Sequence, residues 1–288
     1  MRQRDVMSRF VHSVSPFYQP RLGVLQRIAM MRGIHGSQLV LCDDGELYVI
    51  KEGPNLINPN LLANEVLGNC LLQGLGIHTP SCRLIAGQNY DGHDDSGRTP
   101  NPMRLIAPGL HLGSKCAGGK RKAVYDYLPY RATDFDEHEA VGVLLFDLWC
   151  NNLEARQYLY VIDNVTKRRE ILYIDNSHVC GGPNWSFGVG RSGNPFTHPD
   201  MIPPLTTQHV KSWLPHFRRE IPDLLDVLLN DLPPEWYQGD VKILDDTLKV
   251  RLQALEELVE TERRRQTTIS ISEGLWGREF VKNLSPKM

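Results

Sequence analysis

The stretch from Phe146 to Gly182 limits most strongly what this chain can fold into. It reads FDLWCNNLEARQYLYV, a polar joint, and then REILYIDNSHVCGG. An apolar helix end runs into a loop crowded with amides and a carboxylate. A strand, a turn and a second strand follow, and the second strand delivers Asp175 at its tip. The loop carries Asn152, Glu154 and Gln157. Oxygen donors of this kind suit hard divalent ions, and magnesium usually takes only one or two carboxylates plus substrate phosphates. The stretch therefore points to magnesium and phosphate chemistry.

Upstream, residues 1–20 are polar and read as an N-terminal arm. From Val24 the chain alternates as strand, tight glycine-bearing loop, strand, Asp-Asp-Gly turn, strand, and the Asp43–Gly45 turn is a hairpin signal. Gly33 and Gly36 flank Ile34 and His35, a backbone that can approach another molecule closely and aim N–H groups at phosphates. Lys51 ends the third strand, one hairpin after that loop. Leu61, Leu62, Val66, Leu67, Cys70 and Leu71 then recur at helical spacing, with Asn58 or Asn60 as cap and Gly74 as stop. Glu65 is the acidic residue of this helix. Alone it reads as a solvated charge; paired with Lys51 it would hold an ammonium for a nucleotide.

A strand is expected within Ile77–Ala86, a solvated hairpin tip over 87–102, and a returning strand over Met103–Ala107. The segment from Gly109 to Val124 reads as loose, with a basic patch of Lys115, Lys120, Arg121 and Lys122. Val124–Pro129, a short strand closed by proline, reads as a hinge whose backbone would meet a base. Helices are expected over Glu137–Cys150, Thr207–Phe217, Ile221–Asn230 and Asp240–Val259, the last with a charged extension to Arg265. The 183–204 loop is long enough to be a substrate loop.

The predicted fold class is α+β and bilobal: a strand-rich N-lobe with one main helix over 21–129, a helical C-lobe with catalytic loop and metal site over 130–265, and a tail over 266–288. The 288 residues suffice for two such lobes, and a net charge of −2 gives no basic field for nucleic acid or anionic membrane. No apolar run reaches the roughly 20 residues that span a bilayer. The N-terminus lacks an apolar signal core, so a cytoplasmic location is expected. Six widely spaced cysteines without a C-x-x-C pair read as reduced, packed thiols.

Taken in order, a glycine loop, a strand lysine, a helix glutamate, a hinge, a carboxylate-and-amide loop and a strand-end aspartate are the parts that phosphoryl transfer needs. Through YVIKEG, NEVLGNCLLQGLGIHTP, YDYLP, FDLWCNN and YIDNSHVCGGPNW, the chain over roughly 22–260 resembles the HipA-like kinase domain, a relative of the protein-kinase and phosphatidylinositol-kinase fold. The resemblance implies ATP and Mg2+ as cofactors. It implies that Lys51 holds the phosphates with Glu65 as partner, that Gly33, His35, Gly36, Ser37 and Gln38 cover them, and that Tyr127 and Leu128 lie near the adenine. Asp175 matches the metal-binding aspartate. The catalytic loop departs from the family pattern of Asn-x-Asp-Arg with a second Asn five residues after the Asp. Here Asn152 and Leu153 precede Glu154 in the base position, and Gln157 follows three residues on in the metal position.

The expected activity is transfer of the γ-phosphoryl group of ATP to a protein Ser/Thr hydroxyl, the chain's own included, with Ser37, Ser270 and Ser272 as candidate self-modification sites. A nucleotide-binding module acting through a regulatory partner protein, and a kinase for lipids or small molecules received by Lys115–Lys122 and 183–204, stand as alternatives. A thiol hydrolase built on Cys180 and His178 is the remaining one; no oxyanion or orienting partner is readable for it.

Overall fold

Strict alternation builds the β2–β3 hairpin of the first sheet. The computed structural model describes residues 13–31, 37–51, 58–87, 106–119, 121–125, 136–187 and 205–265. Strand β2 (Gln38–Cys42) buries Gln38, Val40 and Cys42, and β3 (Leu47–Lys51) buries Tyr48 and Ile50, as a period of two requires. The turn between them is the expected Asp-Asp-Gly turn: Gly45 takes φ 80°, and the Asp44 carboxylate accepts from Glu46 N and the Tyr48 hydroxyl at 3.0 and 2.8 Å. β1 (Leu22–Met30) pairs antiparallel with β2.

The sheet closes on itself in the order β1-β2-β3-β5-β4, with β4 (Cys82–Gly87) running parallel to β1. β5 (Gly109–Lys115) lies between β3 and β4, in the segment that the sequence reads as loose. Its apolar signal is broken by His111, which is buried with Nε2 2.7 Å from the Ala107 carbonyl, and by Gly113. A side chain at Gly113 would stand 2.2 Å from Ile85 Cδ1, so the close approach of β4 demands the residue that hides the strand. Ile106 and Ala107 are described but lie outside any strand, and 103–105 fall outside the described residues.

Helix α1 (Asn60–Gly74) is buried along almost its whole length and on every face. Asn58 Oδ1 accepts from Asn60 N at 2.9 Å just ahead of it, and the helix stops at Gly74 as expected. α2 (Glu137–Cys150) has the expected bounds. Asp136 caps it by accepting from Glu139 N, and Asn151 leaves it in the left-handed conformation, φ 55°. β6 (Lys122–Tyr125), β7 (Gln157–Asp163) and β8 (Arg169–Ile174) then form a three-stranded antiparallel sheet with β7 in the centre.

The expected helices 207–217 and 221–230 are one 25-residue helix, α3 (Thr207–Asp231), which continues through Pro215 and Pro222. Proline removes a helical donor and crowds the preceding turn, which argues for a break. The buried stripe of Trp213, Leu214, Phe217, Ile221, Leu224, Leu225 and Leu228 runs on one face past both prolines, however, and full burial of each such side chain contributes ~1.5–3 kcal/mol. α4 (Val241–Gln253), capped by Asp240, ends in a turn at Ala254 before helical residues 255–265. α1 to α4 share the larger hydrophobic cluster, in which Trp149 is wholly buried and donates Nε1–H to the Leu248 carbonyl at 2.9 Å.

The architecture is thus mixed α+β. No described helix is long and apolar enough to cross a membrane. All six cysteines are unpaired thiols, five of them buried.

Candidate functional site

Three charged residues far apart in the chain converge at the open end of β3. Lys51 Nζ lies 2.9 Å from Glu65 Oε2 on α1 and 3.0 Å from Asp175 Oδ1 just beyond β8. Their side chains are 17%, 6% and 25% exposed, so water screens the group only weakly. Burial works against the Lys51 charge, but the two carboxylates outweigh it and hold its pKa above the ordinary value. Burial also works against the Asp175 charge; Lys51, together with the hydroxyl of Ser177 at 2.7 Å, overcomes it and holds the carboxyl down at about 2. Glu65 Oε2 accepts a second bond, from Asn176 N at 2.9 Å. The helix glutamate that could have been solvated is therefore fixed between a cation and a backbone donor.

The loop between α2 and β7 stands on a buried ion pair. Asp147, inside α2, accepts at Oδ2 from Arg156 Nε at 3.1 Å and at Oδ1 from Arg156 Nη2, and both side chains are buried. Asn152 Nδ2 donates to Asp147 Oδ1 at 3.1 Å, and Asn152 N donates to the Asp147 carbonyl at 2.9 Å. Both ends of the 152–156 turn are thus tied to one carboxylate. Burial raises the Asp147 pKa, and the Arg156 guanidinium opposes that shift. Arg156 Nη1 also donates to Asn176 Oδ1 at 2.6 Å, which links the turn to the segment after Asp175.

This turn presents Glu154. Its carboxylate is about half exposed, at 48%, and its Oε2 lies 3.1 Å from His178 Nδ1. Gln157, the first residue of β7, donates from Nε2 to Asp175 Oδ2 at 3.1 Å. Which end of an amide is nitrogen is set by its partners, and the same side chain turned over offers an oxygen. No three His, Cys, Asp or Glu side chains among the described residues form a metal cage. A magnesium site made of the Asp175 carboxylate, the Gln157 amide oxygen and substrate phosphates needs none, and these two side chains are close enough to share one ion. The residues present fit magnesium on those terms.

A cavity of about 590 Å³ opens beside this cluster, between the closed sheet and the second sheet. Its polar end holds Lys51, Glu65, Glu154, Gln157 and Asp175, and its apolar walls are Met31, Val49, Val124, Leu159 and Ile174. Such a mixture, mostly apolar with convergent polar groups at one end, suits a ligand with a flat apolar part and a charged tail. Ser37 lines the cavity. Gln38 does not; it is buried as the first residue of β2, opposite Met30 and Ile50. Asn152, expected among the catalytic residues, does not line the cavity; its Nδ2 donates to Asp147 Oδ1 and its Oδ1 accepts from Glu154 N at 3.2 Å. Gly33, His35, Gly36, Tyr127 and Leu128 lie outside the described residues, as do Lys120, Ser270 and Ser272. The described wall next to Val124 is Lys115, the last residue of β5, and the strip Cys116–Gly118 that follows it.

Sequence reasoning missed Asp147, Arg156, Asn176, Ser177 and Asn64. One signal was present: a lone aspartate amid LLFDLWC needs a buried cation, and Arg156 is the nearest one along the chain. The thiol reading loses its chemistry here. Cys180 is buried, burial pushes its thiol up to about 12, and His178 Nδ1 faces Glu154 and Ser177 Oγ.

No protein-family model matches the chain, and no curated protein matches it. The HipA-like resemblance therefore rests on the fragments quoted above. Among solved structures, the Golgi casein kinase is similar at 11% identity and a TM-score of 0.40, covering 90% of this chain and 76% of that one. The Golgi casein kinase with Mn/ADP bound is similar at 12% identity and a TM-score of 0.38, covering 90% and 77%. A likeness this distant carries no argument about function.

Proposed function

We propose that this chain is a bilobal, HipA-like kinase that uses ATP and magnesium to phosphorylate a protein Ser/Thr hydroxyl. The observation that carries the reading is the Lys51–Glu65–Asp175 cluster at the polar end of the cavity, with Glu154 and Gln157 on the same rim. The closed sheet with α1 would be one lobe and the helices with the second sheet the other. β6 pairs with β7, so the division would fall nearer residue 120 than residue 129.

An ammonium has three donors; Glu65 and Asp175 take two, which leaves one for a phosphate oxygen. The apolar walls would take the base, with backbone groups of 115–118 beside it. Asp175 and the Gln157 amide oxygen would hold magnesium, which supplies charge neutralisation on the phosphate oxygens. Glu154 would accept the proton of the acceptor hydroxyl as that oxygen bonds to the γ-phosphorus. The bond from that phosphorus to the β–γ bridging oxygen breaks, ADP leaves with the electron pair, and Glu154 returns its proton to solvent. Magnesium-dependent ATP turnover in wild type and in Asp175→Ala tests the reading, and equal turnover in the two would sink it.

A second reading, a nucleotide-binding module without turnover, is favoured by one observation: Asn152 is withdrawn onto Asp147 and Glu154 is held by His178. Magnesium-dependent stabilisation by ATP without turnover would select it.

A further inference from the structure

Helix α1 carries a row of polar and small residues that phosphoryl transfer does not use. Asn60, Asn64 and Gly68 recur every four positions and so share one helix face. That face meets the segment 176–185. Asn58 Nδ2 and Asn60 Nδ2 donate to the Pro183 carbonyl at 2.8 and 2.9 Å. Asn64 Nδ2 donates to the carbonyls of Ser177 and Gly182 at 2.9 and 3.1 Å, and Asn64 Oδ1 accepts from Trp185 Nε1 at 2.8 Å. At Gly68 a side chain would stand 2.5 Å from Asn176 Cβ, so the contact is close along its whole length.

Asn64 is wholly buried, and both its amide hydrogens and its oxygen are engaged. Burying an amide costs free energy unless it is paired in this way, and an apolar residue of similar size would fill the space as well. Its neighbour Glu65 faces Lys51 and Asn176 N. One turn of α1 therefore grips the segment behind Asp175 and places the carboxylate that orients Lys51.

We infer that Asn64 is a positioning residue: it fastens α1 to the 176–185 segment and thereby holds Lys51, Glu65 and Asp175 in register before any ligand binds. The consequence for nucleotide affinity rests on the kinase reading above; the register itself does not. No modified residue in the segment and no second protein is required for it.

The test compares Asn64→Ala, Trp185→Phe and, as a core variant on α4, Leu252→Ala. Lys51 is followed by its rate of labelling with an amine reagent in the absence of nucleotide, and MgATP affinity by calorimetry. Asn64→Ala should raise Lys51 labelling and weaken MgATP binding by about tenfold, the factor expected when a charge-assisted contact is loosened. Trp185→Phe, which removes one of the three bonds, should move both by a smaller factor, and Leu252→Ala should move neither. Unchanged labelling in Asn64→Ala, or an equal rise in Leu252→Ala, would overturn the inference. If Asn64→Ala does not fold, Trp185→Phe decides by the same labelling. If wild type binds no MgATP, the kinase reading falls while the labelling still judges Asn64.

Discussion

Lys51 and Asp175 stand 124 positions apart in the chain, yet their charged atoms meet at 3.0 Å, with Glu65 Oε2 2.9 Å from the same ammonium. The contact joins the end of β3 to the residue after β8, so the two sheets share one electrostatic centre. Asp175 pays for its place with backbone strain, since a non-glycine residue at φ 57° is uncommon.

The pH dependence of stability follows from that centre. The folded-state pKa of Asp175 is about 2, against an ordinary 3.8, so the unfolded chain binds the proton more tightly. The stabilisation is present above about pH 4 and is lost as pH falls towards 2. The shift corresponds to about 2 kcal/mol. Urea unfolding across that window should show this loss in wild type and a shallower one in Asp175→Asn. Parallel curves would contradict it.

On the proposed kinase reading, Glu154 should separate turnover from binding. Glu154→Gln keeps the shape and removes the base, so ATP turnover should fall by about 10²–10⁴ while stabilisation by MgATP persists. On the same reading His178 orients the Glu154 carboxylate at 3.1 Å, so His178→Ala should lower kcat with little change in KM for ATP, whereas a rise in kcat would show that the contact withdraws Glu154. Steady-state kinetics with matched thermal-shift titrations check both.

Cys116 reports on cavity occupancy. It is half-buried and lines the cavity, whereas the other five thiols are buried. Brief alkylation of the native protein should modify Cys116 first, and MgATP should slow it. Mass spectrometry of the labelled peptides would show whether another cysteine reacts sooner.

How far the sequence disclosed this arrangement depended on whether a residue's role is local. The β2–β3 hairpin was legible because alternation and an Asp-Asp-Gly turn act within a dozen residues, and α2 because its cap and apolar run are contiguous. β5 was not, since Gly113 and His111 make sense only against Ile85 and Ala107. α3 read as two helices separated at 218–220 because those three residues are charged, and the buried stripe that carries the helix through them becomes visible only when packed. At the site, Lys51, Glu65 and Asp175 were legible from order along the chain. Asn64 and Asn176 were not, because an asparagine carries no sign of its partners until they are in place, backbone carbonyls for Asn64 and the Arg156 guanidinium for Asn176.

The Asp147–Arg156 pair offers the sharpest division between stability and activity. Removing Arg156 alone leaves Asp147 buried without its cation, and breaking a buried pair in this way costs ~3–5 kcal/mol. Arg156→Ala should therefore be strongly destabilised in urea unfolding. Replacing both partners by apolar residues of similar volume, Asp147→Leu with Arg156→Met, removes the uncompensated charge and should recover much of that loss. The double variant also removes the carboxylate that Asn152 Nδ2 and Arg156 share, and with it the bond to Asn176 Oδ1. The turn that presents Glu154 would then lose its anchor, and near-attack geometry is sensitive to displacements of about 1 Å, worth about a hundredfold in rate. The expected outcome is a chain that unfolds near the wild-type urea midpoint, still gains stability from MgATP, and turns ATP over about a hundredfold more slowly. Full activity in the double variant would show that the buried pair serves folding alone.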